Sequence, residues 1–175
     1  SKMKLKTTTI LLFSTLALSG CAKKNKTLQT KINEIGQGGV SGAVMFENTN
    51  GAMRATITLS GKPNTINAVH IHEYGDCSGP DGKKAGGHWN PTEEDHGTWG
   101  SGEYHSGDLG NIKTDRDGNG VETIVDMEKR WTIGGSKKTN IIGRAIVVHE
   151  KADDGTSQPS GNAGKRVGCG EISGK

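Results

Sequence analysis

The chain has 175 residues, 30% of them apolar, 4% aromatic and 28 of them glycine, a length suited to one domain. Glycine in that number penalises helix interiors by about 1 kcal/mol each, which excludes a thick helical core, and the lack of a Gly-X-Y period excludes a collagen-like chain. The net charge of +3 is unevenly held: six lysines before residue 27 supply +6 with no acid, and the other 16 basic and 19 acidic side chains leave −3, so nothing argues for nucleic-acid binding.

Residues 3–6 are basic and residues 10–18 apolar, a run too short to span a bilayer as a helix. Leu18-Ser19-Gly20-Cys21 follows. A basic start, a short apolar centre and small residues at the end are the parts of a secretory signal, and the ending resembles a bacterial lipoprotein box, whose cysteine becomes the lipidated N-terminus. Residues 1–20 are read as the signal, 21–35 as the lipidated N-terminus and tether, and 36–175 as the folded domain. The expectation is an exported protein of the cell envelope or periplasm, attached to a membrane through Cys21. Three cysteines leave one over in such a chain. With Cys21 lipidated, Cys77 and Cys169 remain to pair in an oxidising compartment; the enclosed loop is worth roughly 4–5 kcal/mol on the chain-entropy model.

Within the body, 44–47 and 54–59 alternate as strands about an Asn50-Gly51 turn. Segments 68–73 and 121–125 alternate too, 141–148 is an apolar run, and Asp117-Gly118-Asn119-Gly120 marks a tight turn. No segment reads as a helix. Residues 75–110 and 151–168 are too long and glycine-rich for strands, and loops of that length are usually functional or disordered.

The chain holds six histidines. His70 and His72 lie two apart on an expected strand, so both imidazoles face one side and can share an ion. His88, His96, His105 and Asp108 follow in the first long loop. Three imidazoles and one carboxylate form a closed tetrahedral set suited to zinc, and such an ion can order a loop that buries little apolar surface. His149 follows the apolar run 141–148, at the end of a buried strand.

In the segments His70-Ile71-His72-Glu73-Tyr74-Gly75-Asp76-Cys77, Gly86-Gly87-His88-Trp89-Asn90-Pro91, His105-Ser106-Gly107-Asp108-Leu109-Gly110-Asn111, Gly143-Arg144-Ala145-Ile146-Val147-Val148-His149-Glu150 and Gly164-Lys165-Arg166-Val167-Gly168-Cys169-Gly170, the chain resembles copper/zinc superoxide dismutase, from about residue 36 to 173. The resemblance implies an all-β fold: an eight-stranded Greek-key β-barrel or flattened sandwich, immunoglobulin-like, with long metal-binding and electrostatic loops. It implies copper on His70, His72, His88 and His149, and zinc on His88, His96, His105 and Asp108, with His88 the bridging imidazolate and proton carrier. By the same resemblance Asp153 links a copper histidine to a zinc histidine, Arg166 stands beside the open copper position to receive superoxide, and Cys77 and Cys169 form the disulfide. Members of the family pair as homodimers through different faces in bacteria and eukaryotes. The stretch between His149 and Arg166 is shorter here than in the eukaryotic enzymes, and Lys165 is the neighbouring charge available to guide the anion.

Overall fold

Alternation of apolar and polar side chains sets the strands. In the computed structural model, which describes residues 26–174, eight strands form: β1 Thr27–Glu34, β2 Ser41–Thr49, β3 Ala52–Ser60, β4 Ile66–His72, β5 Asp108–Lys113, β6 Asn119–Asp126, β7 Ala145–His149 and β8 Arg166–Glu171. A three-residue 3-10 turn, Lys83–Ala85, is the only helical element among the described residues. All pairings between these strands are antiparallel, in the order β5-β4-β7-β8-β1-β2-β3-β6. The sheet curls into a nearly closed Greek-key barrel, β5 and β6 being its two ends. The all-β expectation holds.

Two expectations are corrected. Residues 27–34, assigned above to the tether, are a barrel strand, because Leu28, Thr30 and Ile32 alternate inward against exposed neighbours. The run 141–148 is not one strand: Gly143 adopts a left-handed φ of 87°, and β7 begins only at Ala145. Cys21 lies outside the described residues, as do the signal and the start of the tether.

The barrel interior is a continuous apolar core. Ile32, Val44, Phe46, Ile57, Ile71, Ile146 and Val148 are fully buried in it. β4 and β7 differ from β1 and β3 in being buried on both faces. Their outer faces are covered by the two long loops, 73–107 and 150–165. A smaller apolar cluster of Ala85, Ala145, Val147 and Cys169 seals the first of these loops onto the barrel, with Cys77 packed against it. The Cys77–Cys169 disulfide, spanning 92 residues, fastens the same contact covalently.

Candidate metal centre

Strand geometry places the first ligands. Val69 and Ile71 of β4 point into the core, so His70 and His72 point outward, beneath the loops. Across β7, Val148 is a core residue and His149 faces out. Each ligand strand is bulged at the site: the β4–β5 register shifts between Val69 and His70, where His70 pairs with Asp108, and the β7–β8 register shifts between Val148 and His149, where His149 pairs with Arg166. Bulges re-aim side chains, and both occur where a candidate ligand stands. His88 reaches the same surface because its loop segment bridges β4: Trp89 N–H donates to Ile71 O at 2.8 Å and Glu73 N–H to Gly87 O at 3.0 Å.

The structure brings His70, His72, His88 and His149 into one buried group and His88, His96, His105 and Asp108 into another, the ligand atoms of each within 4.8 Å of one another. His88 belongs to both. Hydrogen bonds on the far side of the rings decide which atoms face inward. His70 Nε2–H donates to Asp153 Oδ2 at 2.7 Å, His72 Nδ1–H to Gly86 O at 2.9 Å and His149 Nδ1–H to Gly164 O at 3.2 Å. His96 Nε2–H donates to Asp153 Oδ1 at 2.9 Å. The opposite nitrogens are thereby left with lone pairs directed into the cluster. His70 Nδ1, His88 Nε2, His96 Nδ1 and His105 Nδ1 are buried without a hydrogen-bond partner. An orphaned buried polar atom costs about 1–3 kcal/mol. Four together, two of them on the His70 and His96 rings that Asp153 orients from outside, fit the donor atoms of a metal centre.

The charges fit as well. Burial drives the His70 imidazole down to about 3 and His149 down to about 4, and places His72 well below the usual range. All three are neutral near pH 7, the form that ligates. Around the second group the balance reverses. Burial opposes ionisation of Asp108 and Asp153, but hydrogen bonds from the surrounding imidazoles outweigh it and hold both carboxyls below the usual range. Burial likewise lowers His96, yet the Asp108 carboxylate 3.0 Å from its Nδ1 and the hydrogen bond to Asp153 overcome that and raise it to about 9. Two buried carboxylates call for positive charge at this end. A divalent cation would supply that charge in place of a proton on His96.

A cavity of about 410 Å3 opens over His72, His88 and His149, with Pro159, Ser160 and Arg166 on its rim. Arg166 is fixed by Nη1–H to Gly82 O at 2.7 Å and Nη2–H to Gly86 O at 2.6 Å. Both acceptors lie in the loop tethered by the disulfide, and three of the five guanidinium N–H donors remain free of them.

Residues that sequence reasoning did not single out complete the site. Asn67 Nδ2–H donates to His149 O at 2.7 Å. Asn111 and the Asp153 backbone exchange two hydrogen bonds, at 2.9 and 2.7 Å. Gln158 does the same with the His96 backbone, at 2.9 and 2.8 Å. Side-chain amides that serve backbone groups in this way carry no spacing signal.

A Greek-key barrel with two contiguous donor sets on its outer face, one all-imidazole and one closed by a carboxylate, defines a two-metal β-barrel protein. The family model for copper/zinc superoxide dismutase (SODC) matches residues 40–172. The chain is 36% identical over 154 residues to Cu-Zn superoxide dismutase 1 of Aquifex aeolicus, covering 86% of this chain and 89% of that one. It is 39% identical over 142 residues to Cu-Zn superoxide dismutase 5 of Dictyostelium discoideum, covering 77% and 90%. Among solved structures, a double mutant of a SOD-like protein from Bacillus subtilis superposes with a TM-score of 0.72 at 30% identity, over 83% of this chain and 97% of that one. The chain belongs to the copper/zinc superoxide dismutase family, an enzyme family that dismutes superoxide with copper and zinc as cofactors.

Proposed function

We propose that His70, His72, His88 and His149 hold copper, that His88, His96, His105 and Asp108 hold zinc, and that His88 bridges the two as an imidazolate. The observation that carries this reading is the hydrogen-bond pattern, in which the outer ring nitrogens of His70, His72, His96 and His149 are engaged and inner nitrogens of His70, His88, His96 and His105 are left without partners. An all-imidazole set tolerates a redox-active metal, while three imidazoles and a carboxylate suit tetrahedral zinc.

Bound copper supplies a one-electron couple, so that two superoxide ions and two protons become one oxygen and one hydrogen peroxide. The side chains do the rest. Arg166 attracts the anion to the cavity and orients it with a permanent, planar charge. On release from the reduced metal, His88 would carry a proton on the freed ring nitrogen and deliver it to the peroxide as a general acid. Asp153 holds the His70 and His96 rings in place from one carboxylate.

The reading extends to location: protection of the cell envelope, with Cys21 as the lipid attachment site. It is supported by the small residues before Cys21 and by the engagement of the other two cysteines with each other. Incorporation of labelled fatty acid that is lost in Cys21→Ala tests the anchor. The activity is tested by loading purified protein with copper and zinc and following superoxide decay. Fast second-order loss is expected, and loaded protein that leaves the superoxide lifetime unchanged rejects the assignment.

A further inference from the structure

The connection between β6 and β7 gives no side chain to either donor set, yet it grips the loop that carries most of the second one. Arg130 Nη1–H donates to Glu94 Oε2 at 2.6 Å and to Tyr104 O at 2.9 Å, Nη2–H donates to Glu94 Oε1 at 3.1 Å, and Nε–H donates to Glu128 Oε2 at 2.9 Å. The guanidinium also lies 4.0 Å from the Tyr104 ring centroid. Trp131, fully buried, donates from Nε1–H to Ser106 O at 2.7 Å and stacks on Trp99 at 4.5 Å. The gripped positions interleave with the ligands. Glu94 and Trp99 lie on either side of His96, and Tyr104 and Ser106 immediately flank His105, with Asp108 two residues further on.

The grip is itself stiff. Asp126, the last residue of β6, accepts from Glu128 N–H at 3.2 Å and from Trp131 N–H at 2.7 Å. Between them Lys129 is held at a left-handed φ of 60°, a conformation that costs a non-glycine residue about 1 kcal/mol or more. A tight turn anchored in the barrel wall therefore delivers Arg130 and Trp131 as a pair.

We propose that Arg130, with Trp131 beside it, is a positioning residue for the zinc set: it fixes the spacing of His96, His105 and Asp108 through Glu94, Tyr104 and Ser106, without touching the ion. The inference rests on reading the second donor set as the zinc site. Arginine is required, since only a planar fork spans both Glu94 oxygens and Tyr104 O together, and a lysine ammonium cannot.

The test compares the holoenzyme with Arg130→Lys and Arg130→Met. The zinc dissociation constant is measured against a chromogenic chelator, and the visible ligand-field spectrum is recorded after cobalt(II) replaces zinc. Arg130→Lys is expected to weaken zinc binding about tenfold, Arg130→Met more, and both to change the intensity or position of the cobalt bands. Unchanged zinc affinity with an unchanged cobalt spectrum in Arg130→Lys overturns the proposal. Weaker zinc binding with an unchanged cobalt spectrum, in proportion to lost stability of the metal-free barrel, overturns it as well, since that is folding and not positioning. If Arg130→Met does not fold, Arg130→Lys carries the test. Wild-type protein that takes up neither zinc nor cobalt would instead overturn the assignment of the zinc set.

Discussion

Gly161 passes so close to Asp153 that a methyl group built on its α-carbon would collide with Asp153 Oδ1 and lie 2.6 Å from His96 Nε2. The residue also has a left-handed φ of 66°. Gly161→Ala is therefore expected to push the Asp153 carboxylate off His70 and His96, weakening zinc binding about tenfold to a hundredfold. Chelator competition measures it, and an affinity equal to wild type would mean that the loop yields instead of the carboxylate.

His149 and His72, two of the proposed copper ligands, face one another with their Nε2 atoms 3.3 Å apart. His149→Ala should abolish copper retention and dismutation while leaving the zinc set intact. Elemental analysis should find zinc at the wild-type level and copper lost. Retained activity would break the copper assignment.

The Glu94–Arg130 pair predicts a pH dependence. Hydrogen bonding from Arg130, assisted by the Thr92 hydroxyl, holds the Glu94 carboxyl below its ordinary value of 4.5 despite partial burial. A carboxyl depressed on folding adds stability that is fully present above the unfolded value and is lost as pH falls through the folded one. Arg130→Met should thus be less stable than wild type by about 1–3 kcal/mol at pH 7, with the gap narrowing below about pH 4.5. Thermal unfolding of the metal-free proteins at pH 7 and pH 3 checks this, and a gap independent of pH would remove Glu94 from the explanation.

Lys165 is exposed and, with Lys62 and Lys83, lines a second cavity of about 600 Å3 that also borders Arg166. Lys165→Glu should lower kcat/KM for superoxide several-fold at low ionic strength, the difference fading as the screening length shortens past about 10 Å near 0.1 M salt. Stopped-flow decay at several salt concentrations measures it, and equal rates at all of them would leave Lys165 without a guiding role.

The two donor groups were legible in the sequence because histidine is rare and its spacing on a strand or loop is informative. The strands β2, β3, β4 and β6 were legible because each alternates. β8 was not: Gly168 and Gly170 interrupt its pattern, and they are there because a side chain at either would strike the backbone oxygen of Val40 or Lys31. β1 was passed over because Thr30 occupies one of its three inward positions, and β5 because Asp108-Leu109-Gly110-Asn111 reads as more loop. Arg130 and Gln158 gave no signal at all. Their partners are 36 and 62 residues away, and only the folded chain brings them together.

Asp108 belongs to two structures at once. It closes the second donor set, and it is the first residue of β5, which pairs only with β4 and so ends the curled sheet. A cation held there would also work as a clasp on the barrel's free margin. Chelation would release the anchored end of that terminal strand and expose unpaired amide and carbonyl groups of β4, the kind of margin on which other chains assemble.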